Sequence, residues 1–434
     1  VYTQKFVEGK MTVKEKVEKL KAYINGIYGE EFRESYYGRF FTGSMTFTED
    51  QESGTIYFEH GVVTHTEERL PEEGIDIGLA GTKKGWDMWS KCRRSLSVVC
   101  YQIRQSGNTE DFRTIGESIR YRQNNNALAQ AGRLYSYIRD GVLPGSDLPK
   151  RDEPRLIPVD GDVPIRGFYK RINGVKIYFE TNDGPKDRAV LICLHTAGRE
   201  NRQYHDLMEL FKDKYLLYSI DMPGHGKSWP LPGNQVISDY VEYGKWIWDC
   251  IQALGVKNPI IIGCSMAGGI TYHIAQEHSV RGIVCMQGND NTEDGMGNVR
   301  ELLFHPYVCP QHSHYEFTES LIGTKTSQDR VDFINWGVLC ENGKIKQGDL
   351  TETGTFNVSD KMDRITCPVL IIEGIDDQAY TPEMAQGSMD RLVNCKNKRM
   401  KLYEGYGHFI AVENPEAVSE AIEEFIESMD EEEL

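Results

Sequence analysis

One serine set among small residues carries the chemistry of this chain. Gly263-Cys264-Ser265-Met266-Ala267-Gly268-Gly269 follows the apolar run Pro259-Ile260-Ile261-Ile262 and leads into a helical stretch that ends near Glu277. A strand that turns sharply into a helix lifts the hydroxyl at its tip clear of the sheet, and small neighbours let the backbone turn that tightly. Ser265 is therefore the candidate nucleophile. A serine alcohol is weakly nucleophilic at neutral pH and needs a base within hydrogen-bonding reach. The one histidine late in the chain is His408, in the glycine-rich run Glu404-Gly405-Tyr406-Gly407-His408-Phe409. An imidazole base needs in turn an anion that selects its tautomer and stabilises the imidazolium. Asp376 and Asp377 stand just beyond the strand-like run Val369–Glu373, and either can serve. Acyl transfer also builds negative charge on an oxygen, which each fixed N–H stabilises by roughly 3–4 kcal/mol. Met266, next after the serine at a helix start, supplies one such donor. The loop His195-Thr196-Ala197-Gly198 supplies the other, assigned to Ala197.

These residues need a scaffold that brings strand ends together. From about residue 165 the chain alternates short apolar runs with helical stretches. The expected strands are Val175–Phe179, Val190–Leu194, Tyr215–Ile220, Pro259–Gly263, Gly282–Met286, Val369–Glu373 and Met400–Tyr403; the helices include Ser238–Leu254 and Met266–Glu277. Such alternation implies a mostly parallel sheet covered on both faces, an α/β class, with ligands at the C-terminal ends of the strands. The rhythm breaks over about 288–363, a polar, aromatic-rich stretch that reads as a cap over that edge, with Phe304 and Trp336 as substrate-contacting candidates.

On these residues the chain over about 165–428 resembles the α/β-hydrolase family. The Gly-x-Ser-x-Ala turn, the His-Thr-Ala-Gly loop and Asp221-Met222-Pro223-Gly224-His225-Gly226-Lys227-Ser228 carry the resemblance. It implies a Ser265–Asp377–His408 triad, because Gly374-Ile375-Asp376-Asp377 fits the family's Gly-x-x-Asp. Thr196 stands where the family has glycine, which narrows the oxyanion loop or places a hydroxyl in the pocket. Serine at the elbow excludes the dehalogenase and epoxide-hydrolase branches. Three functions follow: hydrolysis of an ester, thioester or related acyl bond of a small organic substrate; carbon–carbon bond hydrolysis of a diketone or ring-cleavage product; or a small-molecule receptor that keeps the triad.

Other polar residues read more plainly. His195 and His225 brace loops, and Cys264 is inert and buried; Arg199, Glu200 and Arg202 after the oxyanion loop either meet a polar substrate or form a solvated helix start, the second being favoured. His305, His312 and His314 lack a carboxylate or thiolate at ligand spacing, so no metal is expected, and nothing calls for a cofactor.

At 434 residues two domains are expected. Pro144, Pro149, Pro154, Pro158 and Pro164 mark a linker over 143–164, dividing an α+β part (1–142) from the hydrolase-like part (165–434). In the first part a helix at Val13–Tyr28 and strands at Tyr37–Thr48, Thr55–Glu59, Val62–Glu67 and Ile75–Ala80 suggest helices on one face of an antiparallel sheet. The strand pair around His60-Gly61, the run Ile75–Gly81 leading to a tryptophan-bearing helix, and Phe112–Glu117 are similar to the sterol-carrier-protein fold. That resemblance implies either an apolar ligand tunnel or a dimerisation or cap-bracing module that has lost its tunnel; the second is favoured, and a homodimer through this part is one form of it. A net charge of −17 excludes nucleic acid and anionic membranes as partners. No membrane-length apolar run and no signal peptide stand out, and ten scattered cysteines suit reduced thiols in a cytoplasm.

Overall fold

The computed structural model describes residues 11–34, 38–68, 70, 74–90, 111–147, 149–154, 163–292, 306–351 and 355–432. The chain separates into two compact units: Val1–Leu148 with His305–Ser320, and Pro149–Phe304 with Leu321–Leu434. Residues 148 and 155–162 of the proline-rich stretch, together with Cys92, Cys100, Phe304 and His305, lie outside the described residues.

The first unit begins with α1 (Val13–Asn25), opened by a reciprocal Thr12–Glu15 capping box, and α2 (Gly29–Glu34). Strands β1 (Gly43–Glu49), β2 (Glu52–Glu59), β3 (Val62–Glu67), β4 (Ile77–Gly81) and β5 (Phe112–Gly116) form one sheet in the order β3-β2-β1-β4-β5. The sheet is mixed, not antiparallel throughout. After β3 the chain returns across the sheet and adds β4 at the free edge of β1, so these two run parallel. Helices α3 (Lys83–Ser90), α4 (Ser118–Gln123) and α5 (Asn125–Asp140) complete the unit. Its core is aromatic: Trp86, Trp89, Phe112, Tyr135 and Phe47 are almost wholly buried and pack ring against ring.

The second unit carries β6 (Arg166–Ile172), β7 (Val175–Thr181), β8 (Val190–Leu194), β9 (Leu216–Ile220), β10 (Ile260–Cys264), β11 (Gly282–Met286), β12 (Val369–Gly374) and β13 (Lys398–Tyr403). They form a sheet ordered β13-β12-β11-β10-β8-β9-β7-β6. All pairings from β9 to β13 are parallel, and only β6 and β7 join antiparallel. Alternate residues of each central strand enter two different apolar clusters: Ile192, Ile261, Ile283 and Ile371 on one face, Leu191, Ile260, Ile262, Val284 and Ile372 on the other. Burial on both faces is why these strands read as unbroken apolar runs. β6 was not expected, because an edge strand that carries Arg166, Lys170 and Arg171 and buries only Ile172 has no such run.

Helices α6 (His205–Leu210), α7 (Tyr240–Leu254) and α8 (Met266–Glu277) flank the sheet. α7 starts where the Asp239 carboxylate accepts from the Val241 and Glu242 N–H groups and stops at left-handed Gly255. The stretch expected as one cap is composite. α9 (Pro310–Leu321) clusters up to Ser320 with the first unit, whereas α10 (Gln328–Cys340) and α11 (Gly343–Asp349) belong to the second. α12 (Pro382–Arg391), α13 (Ile410–Glu413) and α14 (Pro415–Glu432) close the chain. Among the described residues no helix is long and apolar enough to cross a membrane, and no group of three or more potential metal ligands is present.

Candidate active site

Ser265 lies between β10 and α8 with φ 59° and ψ −121°, a conformation that costs a side-chain-bearing residue about 1–3 kcal/mol. Surrounding bonds hold it there: its N–H donates to the Met286 carbonyl at 2.9 Å, and its own carbonyl accepts from Gly269 N at 3.1 Å. The tightness of the turn makes glycine necessary at 263, where a Cβ would stand 2.3 Å from the Ala267 carbonyl oxygen. Ala267 itself is tolerated because it faces the apolar cluster beneath the sheet.

His408 follows β13 and is nearly buried. Its Nδ1 lies 2.6 Å from Asp377 Oδ2, beyond β12. The two aspartates thus divide the work. Asp377 meets the imidazole, while Asp376 Oδ2 accepts from the Thr324 N–H at 2.8 Å and hydroxyl at 2.6 Å. Asp377 is held by two further donors, Gln287 Nε2 at 2.9 Å and Ala379 N at 2.8 Å. The histidine loop is drawn in by Glu413, whose buried carboxylate accepts from Gly407 N and Phe409 N on either side of His408, from Gly323 N and from the Thr326 hydroxyl. Burial raises the Glu413 pKa, and these bonds pull against that rise. Cys264 Sγ reaches the His408 carbonyl at 3.4 Å, which ties the elbow strand to the histidine loop. Burial first and the nearby Asp377 charge second drive that thiol's pKa upward, so it stays protonated. Among the described residues neither His408 Nε2 nor Ser265 Oγ has a hydrogen-bond partner, a looseness common in active sites before substrate tightens them.

The loop after β8 is pinned atom by atom. Thr196 N donates to Gln203 Oε1 at 3.0 Å, Gly198 N to Asp349 Oδ2 at 2.7 Å, and the Ala197 carbonyl accepts from Lys346 Nζ at 2.9 Å. The N–H groups of Ala197 and Met266 are left without an acceptor among the described residues. His195 is wholly buried, and burial first and the neighbouring His225 second push its pKa down to about 3. Its neutral ring accepts the Met222 N–H at Nε2, so Nδ1 carries the proton and donates to the Thr196 carbonyl. His225 pairs through Nε2 with Asp349 at 2.9 Å. Asp221 braces the next loop by accepting from Asn201 N and Lys227 N, both at 2.8 Å.

Thr196 is buried beside Ala197, while Trp336 is half exposed and lines a small open cleft of about 30 Å³ with Arg199, Gly337 and Phe409. Phe304 lies outside the described residues. Arg199 is not solvated: α10 and Phe409 cover it, and only 8% of its surface remains exposed. Four positioning residues escaped sequence reasoning: Gln287, Lys346, Asp349 and Glu413. Only Gln287 left a signal, as a polar residue directly after an apolar strand.

The family described as serine aminopeptidase, S33 matches residues 185–415, just over half of the chain. The chain belongs to this α/β-hydrolase family. Among relatives of this S33-family hydrolase is an (E)-2-((N-methylformamido)methylene)succinate hydrolase of Acinetobacter baylyi, 25% identical over 58% of this chain and 94% of the relative. Mouse (Mus musculus) monoglyceride lipase is 24% identical over 64% of this chain and 90% of its own. An esterase structure from Thermogutta terrifontis aligns with a TM-score of 0.53 at 15% identity, covering 61% of this chain and 99% of that one; it speaks for the fold alone.

Proposed function

We propose that the protein is a serine hydrolase that cleaves an ester, thioester or related acyl bond through an acyl-enzyme. Ser265 Oγ attacks the carbonyl carbon while His408 Nε2 takes its proton. The oxyanion sits on the N–H groups of Met266 and Ala197. His408 then protonates the leaving group, and the carbon–heteroatom bond breaks. In the second half a water loses its proton to His408, attacks the acyl carbon and returns Ser265 as the alcohol. Asp377 keeps Nδ1 protonated and stabilises the imidazolium throughout. The observation that carries this reading is the 2.6 Å His408–Asp377 pair at the strand ends beside a strained Ser265. The succinate-derived substrate named for the Acinetobacter relative and the glyceride lipases both fit acyl chemistry on a small molecule. The described cysteines are all free, which supports a reducing compartment such as the cytoplasm.

A fluorophosphonate probe tests the proposal. Wild type should be labelled at Ser265 and should hydrolyse aryl esters, and Ser265→Ala should do neither. Labelling that persists in Ser265→Ala would remove the assignment.

A further inference from the structure

The oxyanion loop runs straight into a buried cation that makes no ion pair among the described residues, with Glu341 and Glu200 acting on it only from a distance. The guanidinium of Arg199 lies 5.2 Å from the Phe409 ring, and its Nε and Nη2 have no hydrogen-bond partner. Neighbouring charges are already engaged: Glu200 with Arg202, Glu341 with Lys346 at 3.2 Å, and Asp349 with His225 at 2.9 Å. A buried, unpaired charge is costly, and arginine has no means of shedding its proton. Room for the group is provided deliberately. A Cβ at Gly337 on α10 would stand 1.9 Å from Arg199 Nη1.

The cleft that Arg199 lines is small, about 30 Å³, and opens to solvent, with Phe333, Ile334, Trp336 and Phe409 as apolar walls. Its walls come from the chain next to two candidate catalytic residues, since Arg199 is two residues beyond Ala197 and Phe409 follows His408 directly. Nε and Nη2 form the edge of a guanidinium that grips a carboxylate with two parallel bonds. We propose that this cleft receives the free carboxylate of an acidic acyl substrate, held side-on by Arg199. The substrate class is a half-ester, half-amide or similar acyl derivative of a short dicarboxylic acid. Its scissile carbonyl lies a few bonds from the carboxylate, and its methylene spacer packs on the aromatic walls. The assignment rests on Ser265 as nucleophile and adds the specificity of that same site.

The test compares mono-4-nitrophenyl glutarate with 4-nitrophenyl hexanoate, esters of similar length and leaving group. Wild type should favour the acidic ester in kcat/KM by at least roughly 30-fold, because a site built to bond a polar group discriminates strongly against its absence. The ratio should collapse toward one in Arg199→Gln and survive in part in Arg199→Lys, which keeps the charge and loses the fork. A wild-type ratio near one, or a ratio unmoved in Arg199→Gln, overturns the proposal. Should Arg199→Gln fail to fold, Gly337→Ala decides instead: displacing the guanidinium should lower the ratio, and an unchanged ratio speaks against the site. Failure of fluorophosphonate labelling would sink the hydrolase reading separately. Calorimetry with glutarate then still decides this one, since binding by wild type that Arg199→Gln loses supports it and no binding by wild type overturns it.

Discussion

Two histidine–aspartate pairs stand at the strand ends of the second unit, and their second nitrogens separate them. His408 gives Nδ1 to Asp377 at 2.6 Å, and its Nε2 has no partner among the described residues. His225 gives Nε2 to Asp349 at 2.9 Å and Nδ1 to the Pro223 carbonyl at 3.3 Å. Two acceptors on one ring require an imidazolium, so His225 is a fixed cation with no nitrogen left for chemistry. The aspartates differ in the same way. Asp377 collects donors that aim an imidazole, whereas Asp349 collects His225, the Tyr243 hydroxyl at 2.5 Å and Gly198 N at 2.7 Å, which lock α11 to the oxyanion loop. Under the proposed mechanism the first pair moves a proton, whereas the second holds a loop.

The widest separation should come from replacing the histidines. His408→Gln should lower kcat by about 10⁴- to 10⁶-fold while its melting temperature stays near wild type. His225→Gln should keep kcat within about tenfold and lose stability, because its cost falls on packing and charge and not on proton transfer. Steady-state kinetics on an aryl ester with parallel thermal melts would read both, and equal loss of turnover in the two variants would abolish the distinction. Asp377→Asn comes next. By leaving the wrong tautomer at His408 it should reduce kcat by about 10⁴-fold with little change in unfolding.

The same contrast explains what the sequence disclosed. Ser265, His408 and the strands β8, β10, β11 and β12 were legible because a nucleophile elbow and two-sided apolar strands depend on local residue types. The aspartate was narrowed to a neighbouring pair, since both follow the same strand, and the geometry gives the imidazole to Asp377 and the Thr324 anchor to Asp376. Lys346 and Asp349 were illegible. They act on residues about 150 positions earlier, from a stretch whose polar composition resembles an ordinary solvated surface. The solvated reading of Arg199 failed for the same reason, because the helix that buries it comes more than a hundred residues later in the chain. The parallel β1–β4 pairing depends on where the chain re-enters the sheet, which no local pattern records.

Stability should be the larger casualty in the bracing pair. Asp349→Asn leaves the Gly198 and Tyr243 donors partly served but removes the anion from a buried imidazolium. Breaking one side of a buried pair costs about 3–5 kcal/mol, and because His225 can release its proton the lower end is expected. Urea unfolding would measure it, and a loss no larger than that of an exposed aspartate would mean that the pair holds nothing. Gln287→Leu probes the catalytic side more gently. It removes one donor from Asp377 and an acceptor from Gly374 N, so about 1–3 kcal/mol of stability should go, together with a fall in kcat that Asp377→Asn exceeds.

The smallest effect, and the one that isolates the charge on His225, is in the pH dependence of stability. Burial alone would lower the His225 pKa, but the charge of Asp349 and the hydrogen bond to it outweigh burial and raise it. Burial alone would raise Asp349, and the His225 charge, with bonds from His225, Tyr243 and Gly198, lowers it. A raised histidine stabilises fully below its unfolded value of about 6.5 and loses that contribution as pH climbs through the folded value. A lowered aspartate stabilises fully above about 4 and loses its contribution on acidification through the folded value. The pair is therefore worth most between about pH 4 and 6.5. His195, held neutral, costs stability as pH falls below about 6.5; burial, its largest cause, acts in wild type and variant alike, and the variant lacks only the smaller push from the His225 charge. The gap in melting temperature between wild type and His225→Gln should be widest near pH 5–6 and should narrow steadily toward alkaline pH. A gap that widens with pH would mean that His225 is neutral, and the brace would then rest on hydrogen bonds without the ion pair.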